Sequence, residues 1–305
     1  MNKEKADNYP PFRCNLCGAS RYRTLYTPSK TAGAGPCVAM TTDIYGIASR
    51  IVACSSCGLV VQYPLPSNAI METAYRRLED TDYLLEDDCR SMNAHLSLMT
   101  IRRHVKKGSL LDVGCATGIF LNAARMHFEI RGIEPSEWSA GIARATAGES
   151  AVATGTIETV HTPETAFDVV TLIDVIEHLG DPKAAIEKIA TLTSPGGLLY
   201  IVTPNVRSLS ALLLGRYWWG YRPAHLYYFS VATIRRLLEE NGFTVTEVRS
   251  FGRIFTCGYW LSRLNRYPAA LRAALRTLIG LLGINYKPVY IDTRDSMEIC
   301  AIKRD

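Results

Sequence analysis

From Ser109 onward, short apolar runs alternate with longer stretches whose apolar residues recur at helical spacing. The apolar runs, typical of buried strands, are SLLDVG, IRGIEP, FDVVTLID and GGLLYIVTP. The stretches between them, typical of amphipathic helices, are IFLNAARMH, EWSAGIARATA and DPKAAIEKIATLT. Because strands that alternate with helices build a parallel sheet covered on both faces, this region predicts an α/β fold.

The rest of the chain has other patterns. Two late β runs, GFTVTEVRS and SMEICAIKR, follow the helical pattern SVATIRRLLEEN. Residues 69–107 look mainly helical after a cap at Ser67, and residues 10–65 are rich in Pro, Gly, Cys and Thr. We therefore predict a small loop-rich module over 1–66, a helical linker or cap over 67–108, and an α/β domain over 109–305 with helical inserts at about 206–229 and 252–293.

The composition adds little beyond an ordinary globular class. The 305 residues are 48% hydrophobic and 21% charged, and the net charge of +5 is not concentrated in any run. The N-terminus has no apolar signal region, and no run reaches the roughly 18 apolar residues of a spanning helix. These features predict a reducing, cytoplasmic compartment, in which paired cysteines indicate metal binding or redox use.

The stretch LLDVGCATGIFL passes from a strand through small residues directly into a helix. Small residues at Gly114, Ala116 and Gly118 allow a tight turn that a ligand can approach, with the helix N-terminus behind it. The dinucleotide fingerprint needs a third Gly where Ile119 stands. Because Asp112 would repel a pyrophosphate but suits an ammonium group, we expect a ligand such as S-adenosylmethionine.

Further polar residues follow the next strands at the same edge of the sheet. Glu134 falls 22 positions after Asp112 and could bind two ribose hydroxyls, Ile157 could lie beside an adenine, and Asp174 ends a later strand. At Cys115 we expect a small loop filler rather than a nucleophile, since no base is spaced to activate it. The candidate cofactor-binding residues are Asp112, Gly114, Cys115, Ala116, Gly118, Glu134, Pro135, Thr156, Ile157, Asp174 and Val175.

Four segments, LLDVGCATG, RGIEPSE, FDVVTLIDVIEHLGDP and SPGGLLYIVTPN, resemble the class I S-adenosylmethionine-dependent methyltransferases in order and spacing. The resemblance covers roughly residues 90 to 305, with Ala116 in place of the family's middle Gly. It implies a Rossmann-like, seven-stranded, mostly parallel sheet whose last strand is antiparallel. The alternative is a Rossmann-like fold with a decayed loop.

Two Cys-x-x-Cys pairs, Cys14 with Cys17 and Cys54 with Cys57, are each followed by Gly. Four thiolates suit one tetrahedral, structural Zn²⁺, and an inserted loop that begins at TPSKTAGAGP would absorb the long gap between pairs. The alternatives are unliganded core cysteines and a redox disulfide. With CGLVVQYPLP and AYRRLEDTDY, the segment resembles the zinc-ribbon-like module of some small-molecule methyltransferases, with a related module in some sugar C-methyltransferases.

Methyl transfer to a hydroxyl needs a base, for which His is well suited near neutral pH. His225, in RPAHLYYFS, is expected on the substrate side as base or substrate ligand, with a loop-ordering hydrogen bond as the alternative. The segment HLYYFS also resembles one common in this branch of the family. His178, in DVIEHLGDP, borders the cofactor cleft and is the second catalytic candidate, with a packing role as the alternative.

Both inserts combine Leu, Trp and Tyr with Arg, as in WLSRLNRYPAALRAALRTLIGLLG. Such segments form either a lid or a surface for peripheral membrane contact, and they lack the stacking pattern expected of a nucleic-acid site. We expect methyl transfer from S-adenosylmethionine to an oxygen, or alternatively a carbon, of a small molecule such as a glycosyl or quinone-like compound. Methylation of RNA or protein, or a non-catalytic scaffold role, are the alternatives.

Overall fold

The computed structural model describes residues 11–28, 38–39, 46–160, 166–264 and 269–305. The strands are β1 (Tyr22–Tyr26), β2 (Arg50–Cys54), β3 (Val60–Tyr63), β4 (Gly108–Val113), β5 (Phe128–Glu134), β6 (Val152–Thr154), β7 (Phe167–Ile173), β8 (Thr193–Pro204), β9 (Tyr227–Tyr228), β10 (Phe243–Ser250), β11 (Arg253–Thr256), β12 (Pro288–Ile291) and β13 (Ser296–Lys303). The α-helices are α1 (Asn68–Arg76), α2 (Asp87–His104), α3 (Ile119–Ala124), α4 (Glu137–Ala147), α5 (Pro182–Leu192), α6 (Leu209–Leu214), α7 (Val231–Glu240), α8 (Cys257–Ser262) and α9 (Ala269–Leu281).

Seven strands form the large sheet, in the order β10-β13-β8-β7-β4-β5-β6. Neighbours from β8 to β6 are parallel, whereas β13 runs antiparallel to both β8 and β10. The predicted seven-stranded, mostly parallel sheet with an antiparallel last strand is therefore confirmed. The strand order reverses between β4 and β7, and such a switch point opens a ligand crevice at the carboxyl ends of the strands.

Both faces of this sheet are buried, which explains the continuous apolar runs of its strands. Leu110 and Leu198 pack with residues of α2, α3 and α4 on one face. Their chain neighbours Leu111 and Leu199 pack with residues of α5 and α7 on the other face. Side chains alternate between the two sides of a strand, so each strand stabilises both helical layers.

A small antiparallel sheet, β1-β2-β3-β9, combines the N-terminal module with the segment 206–229. Its strand β9 pairs with β3 through Val60 with Tyr228 and Val61 with Tyr227. The fully buried Trp218 packs with these strands in a separate apolar cluster. The loop predicted between the cysteine pairs falls largely on residues 29–37 and 40–45, which lie outside the described residues.

The segment 252–293 leaves the large sheet after β10 and returns to it at β13. It contains the antiparallel pair β11 and β12, with α8 and α9 between them. Asn93 of α2 anchors β11, because its amide bonds both the N–H and the carbonyl of Ile254 at 2.8 Å. In the part of the chain that the structure describes, no helix has the length and apolar character needed to cross a bilayer.

Candidate active site

The turn after β4 depends on glycine at its first position. Gly114 has a φ of +76°, and its N–H donates to the Ile133 carbonyl of β5 at 2.7 Å. A Cβ atom there would lie 2.5 Å from a methyl of Val175, so no larger residue fits. Gly118, with a φ of +82°, ends the turn as the residue that precedes α3. The chain is therefore drawn tightly across the carboxyl ends of β4, β5 and β7.

Ala116 stands at the middle of this turn in the left-handed region, with a φ of +47°. A residue other than Gly adopts this conformation at a cost of about 1 kcal/mol. The Ala116 N–H donates to Glu134 Oε2 at 2.9 Å, and the Ser136 N–H donates to Oε1 of the same carboxylate at 2.8 Å. The Glu134 carboxylate thus links the turn to the residue that precedes α4.

The carboxyl groups of Asp112 and Glu134 are both nearly inaccessible, with 3% and 4% of each residue exposed. Asp112 Oδ1 accepts a hydrogen bond of 2.6 Å from the Thr171 hydroxyl. Burial raises the pKa of Asp112 to about 7, and burial likewise raises the pKa of Glu134 to about 7 despite its two N–H donors. A ligand that brings a positive charge or hydroxyl donors would favour the ionised form of both groups.

Asp174 and Val175 follow β7 directly, at the switch point. Asp174 has a left-handed φ of +57°, which Asp tolerates better than most residues. Its carboxylate forms an ion pair of 2.5 Å with Arg253 of β11. Val175 contacts the turn at Gly114, as described above. The second insert therefore supplies a cation to the edge where the predicted cofactor residues lie.

The remaining predicted cofactor residues surround the same edge. Ile157 is almost fully buried, Pro135 is half-buried, and the Thr156 N–H donates to the Thr159 hydroxyl at 2.9 Å. Cys115 is buried, and burial together with the nearby acidic groups raises the pKa of its thiol well above the usual range. Such a thiol stays protonated near neutral pH. This agrees with the prediction that Cys115 is a small packing residue of the loop and not a nucleophile.

His178 and His225 lie against each other, with ring centroids 4.7 Å apart and planes at 87°. His225 Nδ1 donates to the Gly220 carbonyl at 2.8 Å, so the lone pair is on Nε2. His178 Nδ1 lies 3.0 Å from the Ala224 carbonyl and 2.9 Å from the Tyr75 hydroxyl. Burial lowers the pKa of His178 to about 4 and that of His225 well below its usual range. Both rings are therefore neutral near pH 7.

Glu177 completes this cluster beside the two histidines. One ligand atom from each of Glu177, His178 and His225 lies within 4.8 Å of the others. Glu177 Oε2 accepts a hydrogen bond of 2.9 Å from the Thr203 hydroxyl, and burial raises its pKa to about 8. Near pH 7 Glu177 is therefore largely protonated and both imidazoles are neutral, so a further proton would be accepted by an imidazole and not by Glu177.

The four cysteines of the N-terminal module converge. Cys14 Sγ lies 3.5 Å from Cys57 Sγ, Cys17 Sγ lies 3.6 Å from Cys54 Sγ, and all four sulfurs are within 4.8 Å of one another. These separations exceed the roughly 2.05 Å of a disulfide. They approach the edge of about 3.8 Å that a tetrahedron with 2.3 Å zinc–sulfur bonds requires.

The two cysteine turns have the same backbone pattern. In each, a left-handed Gly donates its N–H to the carbonyl of the first cysteine, Gly18 to Cys14 at 2.8 Å and Gly58 to Cys54 at 3.0 Å. Desolvation opposes ionisation of Cys54, but the N–H groups of Cys57 and Ser56 outweigh it and lower the pKa of this thiol to about 7. Burial raises the pKa of Cys14 to about 11 and that of Cys57 above its usual range. The fit to a tetrahedral thiolate metal therefore depends on the four converging sulfurs and on the two glycine turns.

Residues 69–248, more than half of the chain, match the protein family described as a methyltransferase domain. The chain belongs to this methyltransferase-domain family. The match begins in the helical linker and includes the turn after β4, both central acidic residues, and both histidines of the cluster.

Curated relatives align with this methyltransferase domain over part of their length. The chain is 30% identical over 151 residues to the ubiquinone biosynthesis O-methyltransferase of Methylobacterium nodulans, covering 46% of this chain and 61% of the relative. It is 37% identical over 112 residues to the enzyme of the same name from Idiomarina loihiensis, covering 35% of this chain and 46% of the relative. The chain thus spans less than two thirds of these relatives.

One solved structure extends the likeness in fold. A chain from the complex of the Haloferax volcanii Trm112 methyltransferase activator with a proposed methyltransferase has a TM-score of 0.53 and 17% identity. The superposition covers 79% of this chain and all of that chain. It supports the fold of the methyltransferase domain, which the strand order had already indicated.

The structure adds three residues to the site that the sequence did not single out. Tyr75 bonds His178, Arg253 pairs with Asp174, and Glu177 joins the histidines. Glu177 is the neighbour of His178 in the segment DVIEHL, so its position could have been noticed. Tyr75 and Arg253 are 103 and 79 positions from their partners, and no local pattern marks them.

Proposed function

We propose that the protein transfers a methyl group from S-adenosylmethionine to an oxygen, or alternatively a carbon, of a small-molecule acceptor. The observation that carries the proposal is the pair of buried carboxyl groups, Asp112 and Glu134, on either side of a tight turn at the switch point. Membership of the methyltransferase-domain family supports the same reaction.

The turn residues and their neighbours are the proposed cofactor site. Asp112 would bind the ammonium group and Glu134 the ribose hydroxyls, because both carboxyl groups are buried and gain from donors. Ile157 would pack against the adenine, and the turn would approach the amino-acid end. The full proposed set is Asp112, Gly114, Cys115, Ala116, Gly118, Glu134, Pro135, Thr156, Ile157, Asp174 and Val175. When bound, the cofactor supplies a methyl group on a sulfonium.

We propose His225 as the base that removes the acceptor's hydroxyl proton. Its Nε2 carries the free lone pair, since Nδ1 donates to Gly220. In the transfer, the acceptor oxygen bonds the methyl carbon as the carbon–sulfur bond breaks, and the sulfur keeps the electron pair. His178 has a ligand nitrogen within 4.8 Å of that of His225 and is the neighbouring base to which the proton can pass.

For the acceptor, we propose a quinone-like compound, with a glycosyl compound as the alternative. The relatives named as ubiquinone biosynthesis O-methyltransferases support a quinone-like ring. The two inserts carry nine Arg or Lys residues and one acidic residue, Asp292, and Leu213 and Leu281 are 76% and 82% exposed. These features support peripheral membrane contact of the inserts. A cytoplasmic location and the absence of a nucleic-acid partner are part of the same proposal. Flotation with anionic liposomes tests the contact, and protein left at the bottom of the gradient would refute it.

The experiment that tests the proposed reaction is a screen for consumption of the methyl donor. Phenols, quinone precursors and nucleotide sugars are each incubated with protein and S-adenosylmethionine, and S-adenosylhomocysteine is measured. We expect release with one of these classes and much less release with the Asp112→Asn variant at a donor concentration that does not saturate it. If the variant released as much S-adenosylhomocysteine as the wild type, the predicted site would not bind the methyl donor.

We propose a structural zinc ion bound by Cys14, Cys17, Cys54 and Cys57. When bound, zinc fixes the two cysteine turns relative to each other and supplies no reaction chemistry. The division of the chain into module 1–66, linker 67–108 and methyltransferase domain 109–305 belongs to the same proposal, supported by the separate small sheet.

Metal analysis is expected to return one zinc per chain. Replacing Cys54 and Cys57 by Ser should remove the metal, because two thiolates alone do not close a tetrahedral site. Replacing Cys89 by Ser is the matched control, since this buried thiol lies in α2 and outside the cluster. Equal zinc in the double variant and the wild type would contradict the assignment.

The affinity for S-adenosylhomocysteine is expected to increase with pH between about 5.5 and 7.5. Asp112 and Glu134 both have a pKa raised to about 7 by burial, so at lower pH both are protonated. The ligand's ammonium and hydroxyl groups favour the ionised forms, so binding releases protons below pH 7 and the dependence levels off above it. Calorimetry in buffers of different ionisation enthalpy measures this release. A constant affinity without proton release would contradict it.

A further inference from the structure

The N-terminal module reaches the His225 loop through strand β3. The second cysteine turn, Cys54 to Cys57, joins β2 to β3, and β3 pairs with β9. Strand β9 begins at Tyr227, two residues after His225. The module and the proposed base are therefore connected by a short stretch of regular backbone.

Gln62 of β3 holds this loop by its backbone. The side-chain Nε2 donates to the carbonyls of His225 at 2.7 Å, Pro223 at 3.0 Å and Arg222 at 3.2 Å. The Gln62 backbone N–H donates to the Leu226 carbonyl at 2.9 Å. Gln62 is 3% exposed, so no water replaces these bonds easily. An amide suits this place, because it satisfies several buried carbonyls without burying a charge.

The opposite side of the loop is held by the methyltransferase domain. The Leu226 N–H donates to the Glu177 carbonyl at 2.8 Å, and His225 Nδ1 donates to Gly220 as described above. The loop thus lies between Gln62 on one side and Glu177 on the other. Loss of either contact would free the backbone that carries His225.

We propose that Gln62 is a positioning residue for His225. The N-terminal module then forms part of the active site and is not a separate domain that recognises a partner. The inference rests on the proposed function, because it takes His225 as the base. This role of Gln62 gives the module a function in catalysis. The β2–β3 hairpin of the module places the buried Gln62 amide against the loop that contains His225. A displacement of about 1 Å at such a group can cost about 100-fold in rate.

The test compares Gln62→Met, which keeps the length but removes the donors, with Tyr63→Phe. Tyr63 is the next residue of β3, and its ring packs on the other face against Phe12 and Tyr22. We expect kcat to fall about 100-fold in Gln62→Met, with the dissociation constant of S-adenosylhomocysteine unchanged. Gln62→Asn places its amide one methylene short of these carbonyls and should also lose rate. Tyr63→Phe should behave as wild type.

A second readout does not depend on turnover. In Gln62→Met, amide hydrogen exchange should increase at residues 224–228, and the His225 imidazole ¹⁵N signals should lose the single Nδ1–H tautomer. A lower melting temperature with wild-type kcat and wild-type exchange in this loop would overturn the inference, as would an equal loss of kcat in Gln62→Met and Tyr63→Phe. If the wild type binds no S-adenosylhomocysteine, the proposed function fails, whereas the exchange and ¹⁵N measurements still decide the role of Gln62.

Discussion

Asp112→Asn is expected to weaken the binding of S-adenosylhomocysteine by about 100-fold, because it removes the buried charge that faces the ligand's ammonium group. The amide retains the shape of the carboxylate and can still accept the 2.6 Å hydrogen bond from Thr171. The free protein should not lose stability, since burial of an ionised Asp112 is unfavourable and has raised its pKa to about 7. This variant should therefore lose affinity for the ligand without losing free energy of unfolding.

Asp168→Asn is the matched control for this substitution. Asp168 lies on β7, and its carboxylate accepts hydrogen bonds from the Ser109 N–H at 2.8 Å and the Ser109 hydroxyl at 3.0 Å. Ser109 lies near the start of β4, at the opposite end of the strand from the turn. We expect Asp168→Asn to lower the free energy of unfolding by about 1 kcal/mol without changing affinity for the ligand. Calorimetric titration and thermal unfolding measure both quantities.

Two outcomes would contradict the assignment of Asp112 to the ammonium group. If Asp112→Asn bound the ligand as tightly as the wild type, the ammonium group would not lie at Asp112. If both variants lost affinity and stability together, the effect would be one of folding rather than recognition.

His225→Ala is expected to lower kcat by about 100- to 10,000-fold, the range that a general base contributes. The affinity for S-adenosylhomocysteine should remain, since His225 lies in the loop before β9 and not at the turn after β4. The pKa of His225 lies well below its usual range because of burial, His178 and Arg222. The wild-type rate should therefore show no loss of activity through protonation of this residue near neutral pH.

His95→Gln is the control for removal of a histidine elsewhere. His95 lies on α2, and its Nδ1 is 2.8 Å from the Ser91 carbonyl. Steady-state kinetics with an acceptor found in the donor screen should show wild-type rates for this variant. A folded His225→Ala protein with full kcat would leave His225 with a loop-ordering role only.

The sequence was sufficient to predict six strands of the large sheet, because each of them follows a local pattern, whereas the short β6 was expected only through the family resemblance. The apolar runs around Leu110 and Leu198 are buried on both faces, as continuous apolar patterns indicate. The acidic residue Glu134 could also be located from sequence, since its position depends only on the end of a strand. These predictions needed no knowledge of contacts between distant segments.

The contacts that complete the site could not be predicted in this way. Arg253 lies in an insert and pairs with Asp174 on a strand, β11, that Asn93 of α2 anchors. Gln62 lies in what the sequence marks only as a short β run, yet β3 pairs with β9 about 165 positions later, close to His225. Such pairings depend on the packing of the whole chain, which periodicity does not encode.

The identity of Ala116 shows a different limit. From the sequence alone Ala116 is simply a small residue in place of Gly, whereas in the structure it has a left-handed φ of +47°. The bond of 2.9 Å from its N–H to Glu134 offsets part of the backbone cost. A tolerance of this kind depends on a partner 18 positions away, and it is therefore a property of the fold rather than of the turn alone.

A crystal structure of the protein with S-adenosylhomocysteine tests the central claim most directly. We expect the ligand to lie across the turn of residues 114–118, with its amino group hydrogen-bonded to Asp112 and its ribose hydroxyls to Glu134. Ligand density elsewhere, or density at the turn with both carboxyl groups bonded only to protein, would contradict it.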